Sequence, residues 1–251
     1  MSPRQPITLY DVPCKLDPPA WSPNVWRTRF ILNFKELPYV TQWVHYTDIQ
    51  RVLPSAGVPP TRTSKPLYSV PAIIDIVEGE APVMLADSPL IADYLEQTYP
   101  ERSIYPGGRD AHLQCVEKVI QHVNNKIAFM VIPHVERILE GGDREYYLST
   151  REMKFGVPLG KMFPVEKQEA MWADLMTSLT ELSAYIDGIR KGEKWLFGTT
   201  DDPSYADFVL GGALIWFKLG GPEGGWDKLR AWHEGRWERH LENLESYMQI
   251  S

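Results

Sequence analysis

The sequence is short of the features that mark several protein classes. It holds two cysteines, Cys14 and Cys115, in 251 residues. That is too few for a disulfide framework or a Cys-rich metal site. No stretch of about 18 apolar residues occurs, so no transmembrane helix is expected. The start, Met1-Ser2-Pro3-Arg4-Gln5, lacks the apolar centre of a secretory leader. Positive charge is also scarce: 26 Lys and Arg against 33 Asp and Glu leave a formal net charge of −7. The tightest basic pair is Arg27 and Arg29, so neither nucleic acid nor an anionic membrane is an expected partner. His45, His112, His122, His134, His233 and His240 form no metal-spaced motif. Gly220, Gly221, Gly224 and Gly225 follow no strand and do not suggest a phosphate loop. What remains fits a reducing, cytoplasmic setting.

What is present is a core and many rings. Apolar residues make up 43% of the chain, enough to bury a sizeable interior. Nine tryptophans and twelve tyrosines supply buried area and can line a pocket for flat apolar ligands.

The local pattern has two regimes. Ile7-Thr8-Leu9-Tyr10 alternates as a strand does. Ser22-Pro23 opens a helix to about Lys35, with serine as cap and proline in the first turn. Tyr39–Tyr46 reads as a second strand, and residues 48–53 as a short helix. A proline-rich loop follows, with Pro54, Pro59, Pro60 and Pro66 in or beside it. Val70–Ile76 and Pro82–Ala86 read as a hairpin, and Asp87-Ser88-Pro89 starts an amphipathic helix to Tyr99. The order is βαβ, then αββα. After Pro106-Gly107-Gly108 the chain reads as helical, over about 110–140, 166–190, 204–218 and 226–238. The stretch from Gly141 to Pro164 reads as a less regular insertion.

Four separated motifs then point to one family. Ser69-Val70-Pro71-Ala72-Ile73 at a strand start, followed by Asp87-Ser88 at a helix start, resembles the glutathione site of cytosolic glutathione transferases. Trp195-Leu196-Phe197-Gly198 and Ser204-Tyr205-Ala206-Asp207-Phe208 resemble that family's helical domain, with Asp207 returning to the helix start as a capping-box acid. Ile7-Thr8-Leu9-Tyr10-Asp11, Ser22-Pro23-Asn24-Val25-Trp26-Arg27-Thr28 and the insert Asp143–Glu152 are similar to the glutathione-dependent β-etherases. The chain is most similar to their fungal etherase-like (Fua) class. The resemblance implies an α/β thioredoxin-like domain with a mixed sheet over residues 1–104 and an all-α domain over 105–251. It also implies glutathione as cosubstrate, a hydrophobic aromatic second substrate and a homodimer.

The expected chemistry is activation of a thiol. A free thiol has a pKa of about 8.5, and lowering it by ~2 units takes ~2.7 kcal/mol of preference for the thiolate. A helix N-terminus offers unpaired N–H groups and partial positive charge. Ser22 stands there and can donate its hydroxyl, and Asn24 its side-chain amide. The plain alternative for Ser22 is a helix cap. In related families this position carries Ser or Cys, and Ser favours conjugation or thiolytic cleavage. Cys14 is the weaker candidate nucleophile, and Cys115 reads as buried and inert.

The rest of the expected site is carried over from the resemblance. Val70, before a cis Pro71, exchanges main-chain hydrogen bonds with the cysteinyl unit. Asp87 and Ser88 hold the γ-glutamyl end. Lys65 or Arg62 takes the glycyl carboxylate. Phe129, Met130, Phe155, Met162 and Phe163 are candidate walls for the electrophile. Two functions lead, a transferase acting on aromatic or β-aryl ether-type electrophiles and a ligandin that binds aromatics or polyphenols with little turnover; a third, a non-enzymatic transferase-like regulator, is disfavoured by the intact glutathione motifs.

Overall fold

A computed structural model describes residues 5–190 and 193–251. Residues 1–4, where the leader was sought, and 191–192 lie outside the described residues.

The first half is built on a four-stranded mixed sheet in the order β2-β1-β3-β4. Strand β1 (Ile7–Asp11) sends Ile7 and Leu9 fully into the core. It pairs in parallel with β2 (Tyr39–Trp43) across helix α1 (Pro23–Phe34), with Ile7 opposite Tyr39. Helix α2 spans Ile49–Ser55. Strands β3 (Ala72–Asp75) and β4 (Val83–Ala86) form an antiparallel hairpin, and β3 runs antiparallel to β1. Helix α3 (Ser88–Thr98) packs against α1. This is the thioredoxin-like order read from the pattern.

Every regular element after α3 is helical among the described residues. Helices α4 (Arg109–Val119) and α5 (Asn125–Val131) are separated by a π-helical turn over Ile120–Asn124. Helix α6 is Gly141–Phe155, α7 Val165–Arg190, α8 Tyr205–Gly220, α9 Gly225–Arg230 and α10 Arg236–Leu244.

Three sequence expectations are corrected. The segment from Gly141 to Pro164 is not irregular: α6 fills fifteen residues of it and ends at Gly156, φ 69°. Its inward stripe is Asp143, Tyr147 and Arg151, so a search for aliphatic periodicity passes over it. The single helix over 110–140 is broken by the π turn, and α5 ends at Val131 because Pro133 has no N–H to continue the helical ladder. The helix over 226–238 is two helices, because His233, Glu234 and Gly235 all adopt left-handed φ of 51°, 56° and 77°.

Helix α8 is the spine. Asp207, fully buried, accepts from the Ser204 N–H and hydroxyl (both 2.9 Å) and from the N–H groups of Leu196 (3.0 Å) and Phe197 (3.2 Å). The capping box therefore ties the helix start to the preceding loop. One turn on, α8 meets α1. A Cβ on Gly212 would sit 2.6 Å from the Pro23 carbonyl oxygen, so only glycine permits this approach. That contact sets the first turn of α1 against the second domain.

Candidate functional site

Two adjoining clefts meet at the start of α1. The larger, about 410 Å³, is lined by Trp21, Ser22 and Asn24 below and by α6 residues above. The smaller, about 230 Å³, is lined by Arg27, Pro71, Asp87 and Ser88. Asn24, Arg62, Ser69 and Val70 line both, so the clefts form one continuous groove.

Ser22 is the backbone cap of α1: its carbonyl accepts from Trp26 N–H at 3.0 Å. Its hydroxyl makes no cap hydrogen bond, and the residue is 8% exposed on the groove wall. The hydroxyl is therefore not engaged in the capping role that is the plain alternative. Pro23 occupies the first turn, where its missing N–H costs nothing.

The smaller cleft is built from turns. The Val70–Pro71 peptide is cis. The Pro71 carbonyl accepts from Asp87 N–H at 3.2 Å. Asp87 sits at φ 86° and ψ 121°, outside the regions that non-glycine residues favour. Such backbone is held only where its surroundings over-determine it. Ser88, 3% exposed, begins α3 beside it.

Arg27 belongs to this cleft and was not singled out by sequence. Burial lowers its guanidinium pKa, while the nearby Tyr205 phenol and Asp87 carboxylate oppose that shift. Its i,i+3 spacing from Asn24 on α1 was the available signal. Arg29, the other member of the basic pair, is fully buried and bonds Asp11 at 2.8 Å in the core. Burial raises the Asp11 carboxyl to about 6, against the pull of Arg29.

The proline-rich loop is clamped by Gln50 on α2. Its side-chain oxygen accepts from Leu67 N–H (3.0 Å) and Tyr68 N–H (3.2 Å), and its amide donates to the Tyr68 carbonyl (2.8 Å). Thr61 and Ser69 hydroxyls bond at 2.8 Å across the same loop. The clamp places Arg62 on both clefts. Lys65 is exposed and lines neither.

The upper wall of the larger cleft is aromatic and cationic. Tyr46 stacks on Tyr146 with centroids 5.8 Å apart, and Trp21 sits 6.4 Å from both Tyr46 and Tyr147. The Arg151 guanidinium lies over Tyr147 at 4.5 Å and over Tyr46 at 5.3 Å. Burial raises the Tyr46 phenol pKa, with Arg151 opposing. His45 Nδ1 and the buried Asp143 carboxylate lie 2.6 Å apart and join the segment after β2 to α6.

Of the wall candidates named from sequence, only Phe155 lines this cleft. Met130 is fully buried, Met162 and Phe163 are nearly so, and Phe129 is 47% exposed. Cys14 lines none of the clefts described, and burial raises its thiol pKa. Cys115 is half-buried and lies 3.6 Å from the Tyr185 hydroxyl. Among the described residues no group of His, Cys, Asp and Glu could hold a metal ion, and no helix is long and apolar enough to cross a membrane.

Comparison with known proteins gives consistent matches. Residues 21–98 match the family model for the glutathione S-transferase N-terminal domain, and residues 111–247 the model for the C-terminal domain. The glutathione S-transferase-like protein ustS of Aspergillus flavus is 30% identical over 207 residues, 78% of this chain and 74% of its own. Glutathione transferase GSTFuA3 from Phanerochaete chrysosporium shares the structure with a TM-score of 0.87 at 30% identity, over 99% of this chain and 100% of that one. A Ceriporiopsis subvermispora glutathione S-transferase, solved in complex with glutathione, has a TM-score of 0.87 at 30% identity, over 98% and 99% of the two chains.

Proposed function

The chain belongs to the glutathione S-transferase family, and from that premise we propose that it activates glutathione at the start of α1 and transfers it to an aromatic or β-aryl ether-type electrophile. The observation that carries this reading is the Ser22 hydroxyl, free of any cap hydrogen bond at a helix N-terminus, on a groove that runs on to Asp87 and Ser88. Glutathione lies along that groove. Its ammonium faces Asp87, its γ-glutamyl carboxylate meets Ser88 and Arg27, and its cysteinyl unit runs beside Val70. Arg62, which borders both clefts, takes the glycyl carboxylate.

The Ser22 hydroxyl and Asn24 amide donate to the thiolate and hold it ionised. For an ether substrate the sulfur attacks carbon, the carbon–oxygen bond breaks, and the phenolate leaves with the bond pair. The phenolate then takes a proton from solvent, so glutathione and ether become thioether and phenol. The protein works as a cytoplasmic homodimer.

The test is release of a fluorescent phenol from an α-keto β-aryl ether, with the glutathione adduct measured alongside. A hydrogen bond to a charged group is worth about 1.5–3 kcal/mol. Ser22→Ala is therefore expected to raise the bound thiol pKa by about 1–2 units and cut turnover roughly 10–100-fold. An unchanged thiol pKa and rate would remove Ser22 from this role.

A second groove favours the ligandin reading. It measures about 690 Å³, apart from the glutathione groove, with Leu16, Trp26, Leu219, Trp226, Leu241 and Met248 in its walls. A polyphenol that binds there consumes no glutathione and is indifferent to Ser22→Ala.

A further inference from the structure

The wall above the larger cleft has a charge pattern that an ordinary apolar electrophile does not require. Arg62, Arg151 and Lys154 line the cleft, and no carboxylate does, in a chain of net charge −7. Arg62 is assigned to glutathione. Arg151 and Lys154 stand one turn apart on α6 and are left over. Arg151 bonds the Thr150 hydroxyl at 3.0 Å and lies against Tyr46 and Tyr147, but no described carboxylate pairs with it. The one acid on this face, Asp143, is engaged with His45.

The walls of the cleft also bury polar atoms of both kinds without a partner among the described residues, the Trp21 and Trp216 indole N–H groups and the Asn124 Oδ1, so it is Arg151 that gives the site its sign. The guanidinium fork suits a planar oxyanion, and the surrounding rings suit an aryl body.

We propose that the second-substrate half of the cleft recognises an aromatic carboxylate, with Arg151 as the specificity-determining cation and Lys154 as its support. The acid group meets Arg151, and the ring packs among Tyr46, Tyr146 and Trp21. The proposal deepens the transferase reading and rests on it.

The test compares biphenyl-4-carboxylate with biphenyl-4-carboxamide, which share a shape and differ in charge. Both are titrated by calorimetry into the protein saturated with S-methylglutathione, whose own binding is measured first. The expected result is a preference for the carboxylate of about tenfold that falls as salt rises. Arg151→Gln abolishes the preference, Arg151→Lys keeps most of it, and Lys154→Gln reduces it two- to threefold. S-methylglutathione affinity holds in all three, which also reports that the variants are folded. Parity between acid and amide in the parent protein, with S-methylglutathione bound, overturns the anion subsite and leaves the transferase reading intact. Loss of S-methylglutathione affinity in Arg151→Gln, with Arg151→Lys restoring it, overturns the proposal by assigning Arg151 to glutathione. No binding of S-methylglutathione by the parent protein overturns both readings.

Discussion

The two walls of the groove are made in different ways. The lower one, from Ser22 through Val70 and Pro71 to Asp87 and Ser88, has its side chains set by local backbone features. It consists of helix starts, a strand start and one residue held at φ 86°. The upper one is made of side chains. Tyr46 comes from the segment after β2, Tyr146, Tyr147 and Arg151 from α6, and Trp216 from α8. A wall whose side chains stand on helix starts and a strand start keeps their positions fixed by near neighbours in sequence. A side-chain site is open to change residue by residue. The first suits an invariant cosubstrate, and the second suits a choice among electrophiles, where single contacts shift preference by about 1–3 kcal/mol.

The largest expected effect comes from breaking the frame that both walls share. Asp207 anchors the start of α8, and α8 holds α1 through Gly212 and carries Trp216. Asp207→Ala removes the cap and strands buried N–H groups of Leu196, Phe197 and Ser204. A lost cap costs about 0.5–2 kcal/mol and each stranded donor about 1–3. A loss of at least ~3 kcal/mol is expected in urea unfolding, lowering the melting temperature by roughly 10 °C. Both the glutathione and the aryl site should fail together as the protein opens. Near-parent stability would mean that the two walls stand independently of the capping box.

A smaller effect sharpens the comparison within the lower wall. Arg62 lines both clefts while Lys65 lines neither, although their charge and loop position are alike. Arg62→Gln is expected to raise the KM for glutathione about tenfold, equal to ~1.4 kcal/mol, more at low salt than at high. Lys65→Gln should stay within about twofold. The reverse ranking would show that the Gln50 clamp does not set which cation meets the ligand.

The same contrast explains what the sequence could reveal. The βαβ-αββα order was legible because each strand and cap is fixed by near neighbours, as with Ser22-Pro23 and Asp87-Ser88-Pro89. The lower-wall positions came from the family resemblance, whose motifs sit at those local signals. The upper wall was not legible. Its stripe of Asp143, Tyr147 and Arg151 carries polar groups on the inward face, so apolar periodicity missed both the helix and the pocket. Met130, Met162 and Phe163 have the apolar character expected of a wall but pack inward. Which face of a helix meets a cavity depends on the element packed opposite, here the segment after β2, far away in sequence. Arg27 was read only as half of a basic pair, not as a site residue, for a related reason: its neighbours Asp87 and Tyr205 come from two other parts of the chain.

The smallest expected effect concerns Cys14, which lies between β1 and α1 but on neither wall. Two features argue against a nucleophile there. Its backbone N–H bonds the Pro19 carbonyl at 3.0 Å, which holds it in a turn away from the groove. Burial raises its thiol pKa, and the nearby Asp11 carboxylate raises it further. The sign is plain: a raised pKa leaves less thiolate at pH 7.5 than free cysteine has, and the thiolate is the reactive form. Alkylation by iodoacetamide at that pH should be slower at Cys14 than for free cysteine, and should accelerate as pH rises past the ordinary thiol range. Cys14→Ser should leave phenol release within about twofold and stability within ~0.5–1 kcal/mol. Fast alkylation at neutral pH, together with lost turnover in Cys14→Ser, would move the nucleophile off glutathione and onto the protein. The helix start at Ser22 would then be architecture alone, and the lower wall would owe its form to folding instead of to thiol activation.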